Sequence, residues 1–279
     1  MSLIITQNYF LKDPFTDEPL SNARIGYKTL WRADGASVSA SSEQAGFPVS
    51  STTNELTYEF WRPQTLPASW DLNLTTPGVA NYLGIASHSL DGSKIKLQVN
   101  NGGWQDITQF FLVDDKTPIM ILFDRVTSTQ FRILIEDGEI PSIGVVFIGE
   151  TLEMQRPIYG GHSPINLSRQ TTISGNISER GQWLGRSLVR EGVETSFSFE
   201  NLTAEWYREN FDPFAEYATQ AFGTFFIAWR PIKYPKEVGY CWTNSDIKPN
   251  NSSKRDLMDV DFNVQGQLDF TSPKREDYA

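Results

Sequence analysis

The feature that most constrains this chain is a series of short segments in which apolar and polar residues alternate. In Ser69–Leu74, for example, Trp70, Leu72 and Leu74 are interleaved with polar residues. Because successive side chains of a strand point to opposite faces of a sheet, this spacing predicts half-buried strands. Aromatic residues make up 13% of the chain. Large flat rings suit sheet faces and contact surfaces, so the composition favours a β-rich protein with interfaces.

Turn signals separate these segments at short intervals through the first half of the chain. The Asp91-Gly92 pair tolerates the positive φ of a tight turn and predicts an antiparallel hairpin between its flanking strands. Many short strands at near-regular spacing are typical of a β-sandwich or a β-barrel. The predicted strands of this half are Leu56–Pro63, Ser69–Leu74, Asn81–Leu90, Ser93–Asn100, Trp104–Ile107, Thr117–Asp124, Thr129–Asp137 and Ile143–Glu150.

The pattern changes near Glu150–Ile158, which predicts a boundary between two domains. After this boundary, Thr171–Glu191 and Val193–Asn201 alternate again, and we predict a long hairpin that bends at Gly192. Three more strands are predicted towards the end of the chain, and they are Ala221–Pro231, Glu237–Asn244 and Arg255–Phe270.

One segment of the second half changes to helical spacing. Its apolar residues recur on one face, which predicts a helix over about residues 203–217. Asn201 or Thr203 can cap the first turn with a side-chain oxygen. Pro213 lies within the pattern and predicts a bend or an end near Asp212, because proline has no backbone N–H to donate.

The charge of the chain excludes one class of partner. With 24 Lys and Arg against 34 Asp and Glu, the net charge is −10. Nucleic-acid binding needs a cationic surface that displaces counterions from phosphates, and no basic run offsets the acidity, so we expect no nucleic-acid partner.

Export and membrane signals are also missing from the sequence. The beginning of the chain has no basic region, and its apolar run Leu3–Ile5 is too short for a signal peptide. No segment approaches the ~20 apolar residues of a membrane helix, so no membrane insertion is expected. The single cysteine, Cys241, cannot form an internal disulfide, and synthesis in the cytoplasm is the expectation.

No catalytic, cofactor or metal site is recognisable in the sequence. His88 and His162 are the only histidines, and they lack the spacing of a zinc site. The G-x-S-x-G nucleophile motif and the glycine-rich phosphate-binding motifs are absent. We therefore predict no enzyme, no cofactor and no metal. A glycan hydrolase with an unrecognised carboxylate pair stays open, because sequence cannot show the distance between two carboxylates.

Four tryptophans of the first half are candidates for either core packing or ligand contact. Trp61 and Trp70 lie within alternating patterns and are predicted to belong to the core. Trp31 and Trp104 lie beside turn residues, where a ring can stack on a sugar or pack at a protein interface. We therefore take Trp31 and Trp104 as the candidate ligand-binding residues.

The order of features over about Ala23–Glu150 resembles galactose-binding-like jelly rolls of the discoidin type. A tryptophan-containing strand, an extended strand, an apolar strand, a turn-containing pair and a closing strand pair follow one another as in that family. The segments concerned are Glu59–Pro63, Ser69–Leu74, Asn81–Leu90, Lys94–Ile107 and Phe131–Glu150. Members of this family hold ligands in loops at one end of the sandwich, and no sugar ligands are carried over from them to this chain.

The whole chain is similar to minor tail proteins of long-tailed bacteriophages, and its second half resembles the tail-tube-like domain of distal tail and baseplate proteins. The second-half features are Gly185–Thr203, the helix and the pair Phe222–Thr243. This resemblance implies a homo-oligomeric ring that contacts tail tube, hub and tape-measure-type proteins, with a cell-surface glycan as a further contact of the first domain. The implied location is the virion tail, assembled in the host cytoplasm.

Together these observations predict a mostly β chain in three parts. Residues 1–22 form an N-terminal segment, residues 23–152 a galactose-binding-like jelly-roll β-sandwich, and residues 153–279 a second β domain, a tail-tube-like barrel or sandwich with one helix. A structural component of a phage tail tip or baseplate is the main functional hypothesis. A stand-alone carbohydrate-binding module or a receptor-binding protein is the alternative, and a glycan hydrolase is a third.

Overall fold

A computed structural model describes the backbone of residues 3–5 and residues 22–158, 160–251 and 256–267 of the chain. Most of the predicted N-terminal segment and the end of the last predicted strand, including Leu268, lie outside the described residues. The described part is mostly β, with two sheets and one helix. The predicted fold class, a jelly-roll sandwich followed by a second β domain with one helix, is confirmed.

Sixteen strands are described, and they form two sheets of eight strands each. In chain order they are β1 (Leu3–Ile5), β2 (Arg24–Gly26), β3 (Ser37–Ala40), β4 (Ala68–His88), β5 (Lys94–Asn100), β6 (Trp104–Asp106), β7 (Phe111–Leu112), β8 (Ile119–Asp137), β9 (Ile143–Gly149), β10 (Leu152–Glu153), β11 (Arg169–Ile177), β12 (Trp183–Thr203), β13 (Phe225–Ala228), β14 (Val238–Trp242), β15 (Lys248–Asn251) and β16 (Leu257–Gln267). Short 3-10 turns cover Leu30–Arg32, Val49–Thr53 and Ile165–Leu167.

The jelly roll is built around two long antiparallel strands, β4 and β8. Register shifts after Asn73 and after Ala80 let both strands bend, as β-bulges do. The first part of β4 pairs with β3 and its last part pairs with β9. The single strand β4 therefore has different neighbours along its length. Trp61 and Trp70 are fully buried in this core, as predicted.

Four predicted strands of the jelly roll are parts of two longer ones. Ser69–Leu74 and most of Asn81–Leu90 belong to β4, and most of Thr117–Asp124 and all of Thr129–Asp137 belong to β8.

Two further strand predictions for the jelly roll are wrong. The strands that flank Asp91-Gly92 do not form a hairpin, because β4 and β5 each pair with β8, which lies between them. Leu56–Pro63 forms only an isolated bridge, in which Trp61 and Ile143 exchange backbone hydrogen bonds of 2.9 and 3.0 Å. Alternation indicates which side chains are buried, whereas the choice of neighbour depends on the rest of the sheet.

The second sheet has the order β10-β2-β13-β14-β16-β12-β11, with β15 also paired to β16. Its strand β2 comes from the beginning of the stretch predicted as jelly roll, and β10 comes from its end. The jelly roll is thus inserted, in sequence, between strands of the second sheet. One face of this sheet packs against the helix in a core that is rich in aromatic rings.

The helix, α1, runs through Ala204–Trp206, a π-helical turn at Tyr207–Phe211, and Asp212–Ala218. The predicted Thr203 cap is present, since its hydroxyl accepts a hydrogen bond from the Trp206 N–H at 3.4 Å. Of the predicted bend or end near Asp212, the end is not observed, because the helix continues to Ala218. The winding changes there instead, from the π turn Tyr207–Phe211 to α-helix, and Pro213 occupies the first turn of the α-helical segment, where proline is tolerated.

The two sheets share a buried interface of their own. Phe147 of β9 lies 5.6 Å from Phe226 and 6.2 Å from Tyr240, measured between ring centroids. Gly84 is required here because a Cβ atom at that position would lie 2.6 Å from the Phe226 ring. All of these side chains are fully buried, so the jelly roll and the second domain are joined by packed core.

A buried polar group reinforces this interface. The carboxylate of Glu55, in a jelly-roll loop, pairs with Arg32 and accepts a hydrogen bond of 3.0 Å from the Thr224 hydroxyl. The Tyr240 hydroxyl donates to the Glu55 carbonyl oxygen at 2.8 Å. Because these hydrogen bonds join the loop to the second sheet, the orientation of the two domains is specified by polar as well as apolar contacts.

Candidate functional site

The second sheet ends in a long two-stranded ribbon, which we call the arm and define as residues 169–192. The arm pairs β11 with the first part of β12, and its tip is the turn Ser178–Gln182. Gly181 adopts a φ of 76° there, which glycine does without strain. The predicted bend at Gly192 is wrong, since Gly192 lies within β12 opposite Gln170. The hairpin bends instead at Ser178–Gln182, and Gly181 is the residue in the sequence that indicates this turn.

The arm exposes large apolar side chains. Every residue of β11 is exposed, and the facing part of β12 is nearly so. Trp183 is 73% exposed, which is exceptional for the largest apolar side chain. The exposed large apolar residues of the arm are Ile173, Ile177, Trp183, Leu184, Leu188 and Val189. An isolated two-stranded ribbon is marginally stable in water, so such a surface is typical of one that another protein covers.

Cross-strand pairing gathers these side chains into patches. Ile173 lies opposite Leu188, and Ile177 lies opposite Trp183 near the tip. Directly opposed residues of an antiparallel pair project from the same face, so each pair forms a continuous apolar patch. The alternating sequence predicted a half-buried hairpin. In the structure the hairpin is exposed on both faces and carries apolar patches.

The arm also presents an open sheet edge. Within the described part of the chain, β11 is the outermost strand at one end of the second sheet and β10 is the outermost at the other. Edge strands are usually protected by proline, lysine or inward charges, and β11 contains neither lysine nor proline. Its outward N–H and C=O groups can therefore pair with another strand.

The charge of the arm is opposite to that of the chain. Four arginines and two glutamates lie in residues 169–192, a net charge of +2, whereas the whole chain carries −10. The remainder of the chain therefore carries −12. A cationic ribbon on an anionic body is electrostatically suited to contact another copy of the same body.

A cleft lies at the opposite edge of the second sheet, between β10 and α1, and we call it the edge cleft. Its cavity volume is about 520 Å³. One wall is β10 with its flanking residues. The other is one face of the helix, because residues at spacings of three and four in a helix project together. The lining residues are Asn22, Tyr27, Lys28, Thr151, Leu152, Glu153, Met154, Gln155, Trp206, Glu209, Asn210 and Pro213.

Two carboxylates, Glu153 and Glu209, and one ammonium group, Lys28, line the edge cleft. Glu153 is half-exposed and pairs with the buried guanidinium of Arg24 at 3.0 Å. Glu209 is exposed on the helix wall. Asn22 is buried and donates through Nδ2 to the Met154 carbonyl oxygen at 2.9 Å, while its Oδ1 accepts no hydrogen bond from any described residue. The exposed carboxylate on the helix wall of the cleft is therefore that of Glu209, whereas the Asn22 amide is buried beneath the lining.

Trp31 lies where the jelly roll meets the second domain. Its indole Nε1–H donates to the Val146 carbonyl oxygen at 2.8 Å, and its ring packs edge-on against Phe147 with centroids 5.9 Å apart. The Arg32 guanidinium lies 5.3 Å from the ring centroid. The donor and part of the ring surface of Trp31 are thus used in protein contacts, and its role in ligand binding stays a prediction.

Trp104 lies in a different setting, at the start of the outer strand β6. The guanidinium of Arg132 stacks on its ring at 3.9 Å from the centroid and is itself held by the Asp71 carboxylate. The ring is half-buried, which leaves part of its surface accessible. Trp104 contacts Arg132, whereas Trp31 contacts Val146, Phe147 and Arg32, so the two candidates share none of these partners, and the role of Trp104 in ligand binding also stays a prediction.

A row of amides continues from Trp104 across the jelly-roll surface. The Asn100 amide donates to the Gln130 Oε1 at 2.6 Å, and the Gln130 amide donates to the Asn73 Oδ1 at 2.9 Å. Sequence reasoning missed this row, because its members come from β5, β8 and β4. The only local signal is that each polar residue alternates with a buried one along its strand.

The buried ionisable side chains fill structural roles. His88 donates from Nε2 to the Thr117 carbonyl oxygen at 2.8 Å, and its Nδ1 accepts from the Leu90 N–H at 3.2 Å. Burial lowers the pKa of His88 to about 4, so the ring is neutral at pH 7 and Nε2 is the donor. Burial also raises the pKa of the Cys241 thiol far above its usual value, which keeps the thiol protonated.

The described residues offer no metal centre. In the ranges 22–158, 160–251 and 256–267, no three His, Cys, Asp or Glu side chains lie together in a group that could hold a metal ion. In the same ranges, no helix is both long and apolar enough to span a bilayer.

Comparisons with known proteins give fold likeness only. No protein-family model matches the chain, and no curated protein matches it. Among solved structures, the family 32 CBM from C. perfringens NanJ in complex with galactose is 19% identical, with a TM-score of 0.37, and the match covers 40% of this chain and 92% of that one. CpGH89CBM32-5 from Clostridium perfringens, in complex with GalNAc-beta-1,3-galactose, is 17% identical, with a TM-score of 0.37 and coverage of 41% and 94%.

Longer proteins are matched over a smaller part of their length. SpGH29 is 20% identical with a TM-score of 0.37, and the match covers 42% of this chain and 27% of that one. The chain thus spans about a quarter of SpGH29, the first of these structures. With TM-scores below 0.5 and identities of 20% or less, what these proteins bind is not carried over to this chain.

Proposed function

We propose that this protein is a structural component that self-associates into a homo-oligomeric ring through the arm. The observation that carries the proposal is the arm itself: a ribbon with six exposed large apolar side chains, an open edge and a charge opposite to that of the body. The setting that the sequence resemblance implies is a phage tail tip or baseplate in the virion, with tail tube, hub and tape-measure-type proteins as neighbours.

The arm is a direct continuation of the second sheet. Its strand β12 continues without a break into Val193–Thr203, which pairs with β16 over the helix-packed core. A contact made by the arm is therefore transmitted directly to the body of the protein. The packed interface between the sheets carries it further, to the jelly roll.

Sedimentation of the purified full-length chain tests the proposal. We expect concentration-dependent oligomers for the natural chain and monomers for the double variant Trp183→Asp with Leu188→Asp, because charged residues replace the centres of both apolar patches. Tyr58→Asp is the matched control: Tyr58 is 69% exposed but lies in a jelly-roll loop. A natural chain that stays monomeric at high concentration contradicts the proposal.

Glycan binding by the jelly roll is a second candidate function. It is favoured by Trp104, whose half-buried ring is held by Arg132 next to a row of amides that can contact sugar hydroxyls. Glycan-array binding that is lost in Trp104→Ala, with the far-UV circular dichroism spectrum unchanged, supports it. The absence of binding by the natural chain to any glycan removes it.

Catalysis is not part of the proposal. The prediction that the protein is not an enzyme is tested by a turnover screen on bacterial polysaccharides, for which we expect no product. Hydrolysis of any of them by the purified chain would restore the glycan hydrolase hypothesis.

A further inference from the structure

We infer that the edge cleft receives the arm of a second copy of this chain, so that copies join head to tail along the second sheet. This inference rests on the proposed self-association and names the surface that receives the arm. The occupant is the outer part of the arm, from Ile177 to Arg186, which contains the tip.

The first argument is the position of the two surfaces. The arm and the edge cleft lie at opposite edges of the same sheet, since β11 and β10 are its outermost described strands. A contact between these two different surfaces is heterologous, and each copy retains one arm and one cleft for its neighbours. Such contacts close into a ring or continue as a filament, whereas an arm-to-arm contact ends at a dimer.

The second argument is chemical complementarity. The accessible apolar surface of the cleft comes from Trp206 and Pro213 on the helix wall, beside the exposed Glu209. The outer part of the arm offers Ile177, Trp183 and Leu184 to the apolar surface. A volume of about 520 Å³ falls within the roughly 300–1,000 Å³ of small-ligand clefts, so the cleft suits the projecting side chains of the tip, with the backbone of the tip outside it.

The third argument concerns charge. Arg180 and Arg186 lie in the outer part of the arm, and each guanidinium carries five N–H donors. In the cleft, the Glu209 carboxylate is exposed on the helix wall. Lys28 also lines the cleft, so the arm's arginines are expected to approach the helix wall, where Glu209 projects.

Site-directed cross-linking tests the contact. The chain has one cysteine, Cys241, which is buried and protonated, so introduced cysteines are the reactive ones. We expect Leu184→Cys mixed with Glu209→Cys to give oxidised dimers, and a single chain carrying both changes to give a ladder whose largest band reports ring size. Glu216→Cys, on the same helix but outside the cleft, is the matched control and should not cross-link with Leu184→Cys.

Charge reversal gives an independent measurement on the full-length chain. Glu209→Arg should weaken self-association by about tenfold or more, since it places like charges together in the contact. Combining it with Arg180→Glu and Arg186→Glu should restore association. Glu216→Arg, the same change two turns further along the helix, should leave association unchanged.

The outcomes separate the two proposals. If the natural chain is monomeric, the proposed self-association is wrong, and the inference that the edge cleft receives the arm is wrong as well. If the natural chain is oligomeric and the arm variant Trp183→Asp with Leu188→Asp is monomeric, but Glu209→Arg associates normally and no Leu184–Glu209 cross-link forms, the arm docks elsewhere. The inference is then overturned while the proposed function stands.

Discussion

The two halves of strand β12 make the most instructive comparison in this molecule. From Val193 to Phe199, buried residues alternate with exposed or partly buried ones, and Phe197 and Phe199 enter the helix-packed core. From Trp183 to Gly192 the same strand is exposed on both faces. Both halves have the same secondary structure and similar apolar content. The difference teaches that alternating apolar and polar residues indicate a strand face that packs against another structure. That structure can be another part of the same chain or a second protein.

The comparison implies that the two halves contribute to stability in different ways. Burial of an apolar side chain contributes to folding only when the folded chain itself removes it from water. The arm's apolar residues are therefore expected to affect association, while those of Val193–Thr203 affect the free energy of unfolding.

The largest expected effect comes from a matched pair of truncations in β12. Phe199→Ala should lower the free energy of unfolding by about 3–5 kcal/mol, because it leaves a cavity in a fully buried core. Leu188→Ala, in the exposed half, should change it by less than about 0.5 kcal/mol in the monomer. Urea unfolding at low protein concentration measures both. Equal losses in the two variants would break the comparison.

Next in size is the loss of the buried carboxylate at the interface between the domains. Glu55→Ala should lower the free energy of unfolding by about 3 kcal/mol, because it leaves Arg32 and the Thr224 hydroxyl without their partner. Arg32 is partly exposed, so water limits the loss. Glu59→Ala, an exposed neighbour in the same loop, is the control for urea unfolding. A loss in Glu59→Ala as large as that in Glu55→Ala would show that the loop, not the buried pair, is responsible.

The neutral, buried His88 predicts a dependence of stability on pH. The unfolded chain binds a proton at the ordinary pKa of about 6.5, whereas the folded chain resists it until a pKa of about 4. Stability should therefore fall as the pH falls from about 6.5 to about 4, by roughly 2–3 kcal/mol from this group. His88→Gln keeps an acceptor and a donor but does not titrate, so this part of the pH dependence should disappear. Parallel curves for the two proteins over that range would refute the assignment.

The smallest expected effect concerns the tip of the arm. Gly181 has a φ of 76°, so Gly181→Ala should strain the turn by about 1 kcal/mol. We expect faster hydrogen exchange in residues 169–192 and unchanged exchange in Val193–Thr203, because the arm opens independently of the core. Gly175→Ala is the control within the arm, where a Cβ meets open space and the φ is not positive. Faster exchange throughout β12 would show that the arm and the body open together.

Sequence reasoning worked best where burial is encoded locally. The alternation around Trp70 predicted its strand and its buried ring, and the apolar spacing after Asn201 predicted the helix within one residue at each end. The prediction of a hairpin at Asp91-Gly92 was wrong. The sequence there favours a tight turn, but the two strands that it connects pair with β8 and not with each other. The edge cleft could not be predicted from the sequence, because its lining residues come from residue 22, residues 151–155 and the helix, which are far apart along the chain.

By itself the sequence determined that this protein is mostly β with one helix, and which side chains of the jelly-roll strands, such as Trp61 and Trp70, enter the core. Only the tertiary structure decided that β8 separates β4 from β5, that β12 continues past its core to form the arm, and that a cleft faces outward at the opposite sheet edge. The physical reason is that side-chain periodicity follows from backbone geometry within a few residues. Strand order and exposed edges instead follow from which distant segments pack together.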